Sequence, residues 1–145
     1  MTTAMTRTAA RLLLAPAFVI ALAILVKGYS DVGDGFNAGV IASLGILVQY
    51  LAFGRGEVER LLPVRLAAPC AVAGLMLALV VTFAPVLRGD APLTHVPGPD
   101  EGVVRLGTLE LVSAVAFDVG VFLLVLGAVV GVVRTIALAG DRGAS

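Results

Sequence analysis

Residues 109–133 read LELVSAVAFDVGVFLLVLGAVVGVV, and this stretch decides the fold. A membrane-spanning helix needs about 20 predominantly apolar residues, rising about 1.5 Å each through a hydrocarbon layer about 30 Å thick. Residues 111–133 satisfy that length, and Asp118 is the only charge among them. A segment built for lipid that still carries a carboxylate raises two questions: what else in the chain is built for lipid, and what accommodates the acid.

Three more apolar runs answer the first question. Residues 12–26 are short for a span, but Ala9, Ala10 and the aliphatic stems of Arg11 and Lys27 extend them. Pro16 is expected in the first turns of this helix, where the missing donor matters least. Residues 36–53 are interrupted by Asn37, Ser43 and Gln49, and residues 66–87 carry no charge, with Pro69 near their start and Pro85 near their end as initiator and stop. The chain therefore reads as an all-α integral membrane protein: one domain, 1–145, with four transmembrane helices over about 10–28, 35–53, 66–87 and 108–135. Run one resembles a signal peptide in having arginines ahead of an apolar centre, but LVKGYSDVG lacks a small-x-small cleavage site and three spans follow, so a retained helix is expected.

Composition agrees. Hydrophobic residues make up 59% and charged residues 14%, against about 45–50% and about 25% in soluble domains, and the mean hydropathy is +1.06. Ten basic and ten acidic residues cancel, which leaves no electrostatic footprint for nucleic acid. The lone Cys70 has no disulfide mate and reads as a small buried hydrophobe. The lone His95 falls in the Pro/Gly-rich connection RGDAPLTHVPGPDEGVVR, whereas a haem in the bilayer takes axial histidines from spanning helices. No cofactor, no metal site and no catalytic constellation is expected, so the chain is not read as an enzyme.

Lysine and arginine counts set the orientation. Arg7, Arg11, Arg55, Arg60, Arg65, Arg134 and Arg142 fall on one side of a four-span topology, and Lys27, Arg88 and Arg105 on the other. Seven against three places both termini in the cytoplasm.

Helices in lipid associate through close approach at small residues. Gly35, Gly39 and Ser43 recur every four residues at the start of the second span, and Gly120, Gly127 and Gly131 share a face of the fourth. These stripes either hold the four helices together or dock another subunit.

Asp118 is the first candidate for chemistry. A charged aspartate in mid-membrane costs about 2.5–3.5 kcal/mol on insertion scales. Counting from Thr108 at about 1.5 Å per residue places it near the bilayer middle. No lysine or arginine lies within the four runs, so its partner is expected from solvent, a bound proton or another protein. Asp118 either borders an ion route or bonds a neighbouring helix and fixes its register. Glu110 is the second acid, about 12 Å along the helix and about 80° around it, and reads either as a relay member or as a headgroup-level glutamate. The connection KGYSDVGDGFNAG is glycine-rich, with Gly28, Gly33, Gly35 and Gly39 permitting close turns and Asp34 a natural N-cap. It lacks the Lys-Ser/Thr ending of a phosphate loop.

GYSDVGDGFNAGVIASLGILVQYLAFG followed by SAVAFDVGVFLLVLGAVVGVV resembles the MnhB-type (Mrp B-type) subunit of multi-subunit cation/proton antiporters. That family opens its second helix with G-H-N-x-P-G-G-G-F-x-x-G, and Gly28, Gly33, Gly35, Phe36 and Gly39 fall on it. Its F-D-x-G-V motif falls on Phe117, Asp118, Gly120 and Val121. Tyr29, Ser30, Val32 and Asp34 depart from the pattern's histidine, asparagine, proline and middle glycine. The resemblance implies an accessory subunit in the cell membrane, partnered by the other subunits of an antiporter that exchanges Na+ for H+. A related membrane-bound hydrogenase or respiratory-type complex is the alternative host. From the residues alone, a subunit bordering an ion route, a helical scaffold and a small self-sufficient transporter remain three distinct readings.

Overall fold

A computed structural model describes residues 4–27, 33–89, 91–92 and 109–143, with side chains described at 4–27, 33–87, 89, 91–92 and 115–140. Gly28, His95 and the Glu110 side chain lie outside the described residues.

The four apolar runs become α1 (Ala4–Lys27), α2 (Asp34–Phe53), α5 (Ala67–Phe83) and α6 (Leu109–Gly143). Two single-turn helices, α3 (Arg55–Val58) and α4 (Leu62–Arg65), fold the connection between α2 and α5. A 3₁₀ turn, Pro85–Arg88, continues α5, so its apolar stretch covers Ala67–Leu87. Among the described residues, four helices are thus long and apolar enough to cross a membrane: Ala4–Lys27, Asp34–Phe53, Ala67–Leu87 and Val115–Gly140.

Pro16 is not in the first turns as expected. Helix α1 starts at Ala4, which puts Pro16 inside it. At this exposed start of α1, two arginines and one carbonyl meet α2. The Arg11 guanidinium sits 5.0 Å from the Phe53 ring centre and that of Arg7 6.0 Å, within cation–π reach. Gln49 Nε2 also donates to Ala10 O at 2.6 Å, which gives the buried amide of α2 a partner on α1.

The helices form a row rather than a closed bundle. The most extensive pairings are α5 with α6, α1 with α2, and α2 with α6, whereas α1 and α6 barely touch. The order across the row is α1, α2, α6, α5. Burial follows from that order: half of the apolar window of α2 is buried, a third of that of α6, but only 11% of α1 and 17% of α5. The outer helices expose large side chains to the surroundings, including Leu12, Val19, Val72, Met76 and Val80.

Small residues set the spacing. A Cβ on Gly120 would stand 2.9 Å from Ala78 N, and one on Gly74 would meet Leu124 N and the Gly120 carbonyl, so α5 and α6 touch backbone to backbone. Gly127 packs in the same way on Ala67 and Ala71, Gly39 fits against Val125 and the Phe122 carbonyl, and Gly45 fits against Ala17. The apolar seam between α2 and α6 is filled by Ala38, Ala42, Ile46, Phe122, Leu126 and Val130, all buried. Gly131 departs from the expectation of a shared packing face. Nothing lies within 4 Å of its Cβ position, because α5 begins at Ala67, opposite Gly127, and does not reach the next turn.

This packing separates glycines that tolerate a side chain from those that do not. Gly74→Val or Gly120→Val should cost about 1–3 kcal/mol, the usual penalty of overpacking, read as a lower melting temperature of the full chain in detergent. Gly131→Val should leave the melt unchanged.

Candidate functional site

Helix α2 starts without a side-chain cap of its own. Its N-cap is Gly33, in the left-handed region at φ 117°, a conformation that favours glycine. Asp34 is therefore the first helical residue and not the expected N-cap. The first amides of a helix have no intrahelical acceptor, and together they carry about half a positive charge.

The acceptor comes from α6. Asp118 is 2% exposed, and the backbone N–H groups of Gly33 and Gly35 act as hydrogen-bond donors to its carboxyl, with the Asp34 carboxylate nearby as an opposing charge. Gly35 makes the approach possible, since a Cβ there would collide with the Asp118 backbone carbonyl. Asp118 Oδ1 has no hydrogen-bond partner among the described residues.

Two expectations are corrected here. Asp118 is the tenth residue of α6, which begins at Leu109, but it lies opposite Gly35 in the first turn of α2 and so stands level with the start of that span rather than with its middle. Counting along α6 alone mislaid it because α6 extends beyond the start of α2. Nor is it left for another protein to accommodate. A helix N-terminus of the same chain does so, and residue types do not reveal that positive site.

The other end of the seam carries a second polar cluster, which sequence reasoning did not single out. Glu59 Oε1 accepts from Arg55 Nε at 2.6 Å and lies 3.6 Å from Arg134 Nε. The Arg55 guanidinium holds the Glu59 carboxyl below the usual carboxylate range. The Tyr50 hydroxyl and Arg134 Nε are shielded from solvent without a hydrogen-bond partner among the described residues. The available signal was weak: Arg134 is the first charge after the last apolar run, and Glu59 falls in a short charged connection. Asp118 and Arg134 are sixteen residues apart, about 24 Å of helix, and every residue of α6 between them is apolar.

The remaining candidates divide by direction. Gly35, Gly39, Gly120 and Gly127 face neighbouring helices. Ser43 is buried and donates to Gly39 O at 2.6 Å within its own helix. Phe36 points away from the row, 55% exposed. The small face of α5, with Ala67, Ala71, Gly74 and Ala78, was missed, although its spacing of three or four residues is visible in the sequence. Among the described residues, no group of three or more His, Cys, Asp or Glu side chains is placed to hold a metal ion.

Comparison with known proteins gives one consistent result. The family described as "Domain related to MnhB subunit of Na+/H+ antiporter" matches residues 5–131. The chain is 35% identical over 113 residues to the B-type Na(+)/H(+) antiporter subunit of Bacillus subtilis, covering 78% of each chain. It is 31% identical over 110 residues to the B-type Na(+)/H(+) antiporter subunit of Alkalihalophilus pseudofirmus, covering 76% of this chain and 75% of that one. It is also 35% identical over 123 residues to the probable A/B-type K(+)/H(+) antiporter subunit of Rhizobium meliloti, covering 82% of this chain but 12% of that much longer one.

The geometry around Asp118 predicts the order of two substitutions. Asp118→Leu strands the first amides of α2 and should cost about 1–3 kcal/mol, the penalty for a buried group left unsatisfied. Asp118→Asn keeps an oxygen acceptor and should cost less. Unfolding of the full chain in mixed micelles with rising SDS measures both.

Proposed function

This chain belongs to the MnhB-related family of Na+/H+ antiporter subunits, and we propose that it serves as an accessory, non-enzymatic scaffold whose Asp118 joins helices rather than carrying ions. It is a multi-pass protein of the cell membrane. Its partners are the other subunits of a cation/proton antiporter. The combined A/B designation of the Rhizobium meliloti relative supports an A-type subunit as a neighbour, and the relatives' names support an antiporter host over a hydrogenase-type one. Those names include both sodium and potassium, so Na+ is the proposed cargo on the strength of the two relatives aligned over most of their length.

The observation that carries the scaffold reading is the continuous apolar face of α6 between Asp118 and Arg134. An ion or proton crossing this chain from end to end would need polar groups along the way. Of the polar side chains buried on α2, Ser43 bonds Gly39 O and Gln49 bonds Ala10 O on α1, while the Tyr50 hydroxyl lies at the Glu59–Arg134 end of the seam and not along it. The open row also supports a subunit over a self-sufficient transporter, because the described helices enclose no interior in which to alternate access. The cytoplasmic orientation of both termini draws support from the gathering of Arg7, Arg11, Arg55 and Arg134 at one end, where α1 begins and α6 emerges.

One observation favours a second reading, in which Asp118 borders an ion route completed by another subunit: Oδ1 has no partner among the described residues. The test separates the two. In the assembled antiporter reconstituted into liposomes, Asp118→Asn should preserve subunit stoichiometry and slow exchange by less than about tenfold, under ~1.4 kcal/mol. Asp118→Leu should lower the recovery of the assembly. An intact Asp118→Asn assembly with no exchange would establish the second reading and remove the first.

A further inference from the structure

Where α2 runs into α3, the start of α1 leaves an open pocket of about 160 Å³. Arg11 and Leu14 of α1, Gln49 and Phe53 of α2, and Glu57 and Leu61 beyond them line it. A space of this size takes a benzene-sized molecule. It is far larger than one water and too small for the side of a helix.

The two charges at this pocket do not satisfy each other. Arg11 and Glu57 are both exposed, and neither makes an ion pair among the described residues. The Arg11 guanidinium lies instead 5.0 Å from the Phe53 ring centre, within cation–π reach. Gln49 is buried, 4% exposed. Its amide nitrogen turns away to Ala10 O at 2.6 Å and Gly45 O at 3.4 Å, which leaves its oxygen as the end that can accept from a guest. The pocket therefore offers a positive charge with several donors, a negative charge and a neutral acceptor.

Its level is that of the lipid headgroups. Arg11 immediately precedes the apolar run 12–26, and Arg7 stands one turn further out, 6.0 Å from the same ring. Basic side chains beside a span meet lipid phosphates at this level. Helix α1 is the least buried of the four spans, and Leu12 and Leu13 are exposed next to Arg11, an apolar surface for acyl chains.

We infer that this pocket seats the headgroup of phosphatidylethanolamine, with the lipid phosphate on Arg11 and the primary ammonium on Glu57. A guanidinium matches phosphate geometry through parallel N–H donors. A primary ammonium carries three donors, enough for the Glu57 carboxylate and the Gln49 oxygen together. A purely anionic headgroup brings nothing for Glu57, and phosphatidylcholine has the same two charges but no N–H to donate.

The test uses the assembled antiporter in nanodiscs containing equal parts phosphatidylethanolamine, phosphatidylcholine and phosphatidylglycerol, with a photo-crosslinking residue in place of Leu61. Intact mass should show lipid adducts, with phosphatidylethanolamine favoured about fivefold over phosphatidylcholine, the worth of one net hydrogen bond, and captured more than phosphatidylglycerol. Glu57→Gln should bring phosphatidylethanolamine and phosphatidylcholine close to parity without lowering total capture. Arg11→Gln should lower capture of all three severalfold. Adducts with another subunit, a preference for phosphatidylglycerol, equal capture of the three lipids, or a phosphatidylethanolamine preference that survives Glu57→Gln would each overturn the assignment.

Discussion

A carboxylate of α6 lies against the uncapped amides that open α2, and the row is organised around that contact. The Asp118 side chain is buried between the helices, where moving a charge out of water would be prohibitive without compensation. Compensation comes from the Gly33 and Gly35 N–H groups and from the positive end of the α2 dipole. The exchange is mutual, because the amide of the buried Gly35 would otherwise lack an acceptor. Glycine at position 35 is part of the same device: only a residue without Cβ lets the Asp118 backbone come so close.

Because α1 pairs chiefly with α2, and α5 with α6, the two halves of the molecule meet along the α2–α6 seam. Lipid gives that seam no hydrophobic drive, so its cohesion rests on close packing and on polar contacts. The polar contacts stand at its two ends. At one end Asp118 grips the start of α2. At the other, Glu59, in the turn after α2, faces Arg134 of α6 at 3.6 Å while bonded to Arg55. Between them lie Ala42, Ile46, Phe122 and Leu126, which define distance but not register along the helix axis. Contacts at both ends of a smooth seam supply that register.

The four helices were legible because a span announces itself by length and lack of charge, and residues 66–87 and 111–133 leave little choice. What was not legible depended on neighbours. Gly127 and Gly131 look equivalent in sequence, yet only Gly127 meets α5, and the difference is where α5 begins. Pro16 looked like an N-terminal proline because the apolar run starts just before it, but the helix runs outward to Ala4, with Arg7 and Arg11 beside Phe53. Asp34 has the chemistry of an N-cap but is displaced by Gly33 and a capping group 84 residues later in the chain. The need for something to accommodate Asp118 could be read from residues 109–133. That the answer was a helix terminus, with no side chain to mark it, could not.

The row also constrains how such a subunit takes part in ion exchange. Charge moved along the α2–α6 seam would cross about 24 Å of hydrocarbon side chains, and even one acidic group at mid-membrane costs about 2.5–3.5 kcal/mol. Under the proposed scaffold role, the α2–α6 seam of the described residues is therefore no route for charge. A route along one face of the row remains open, because a single layer of helices presents two broad surfaces that a larger subunit can line with the missing polar groups. The exposed outer helices fit that role: they separate a neighbouring pathway from lipid while the buried contacts at both ends of the seam keep the wall rigid. In the proposed scaffold role, contribution to transport arises from shape and position, and the carboxylate that first suggested an ion path acts by holding the wall together.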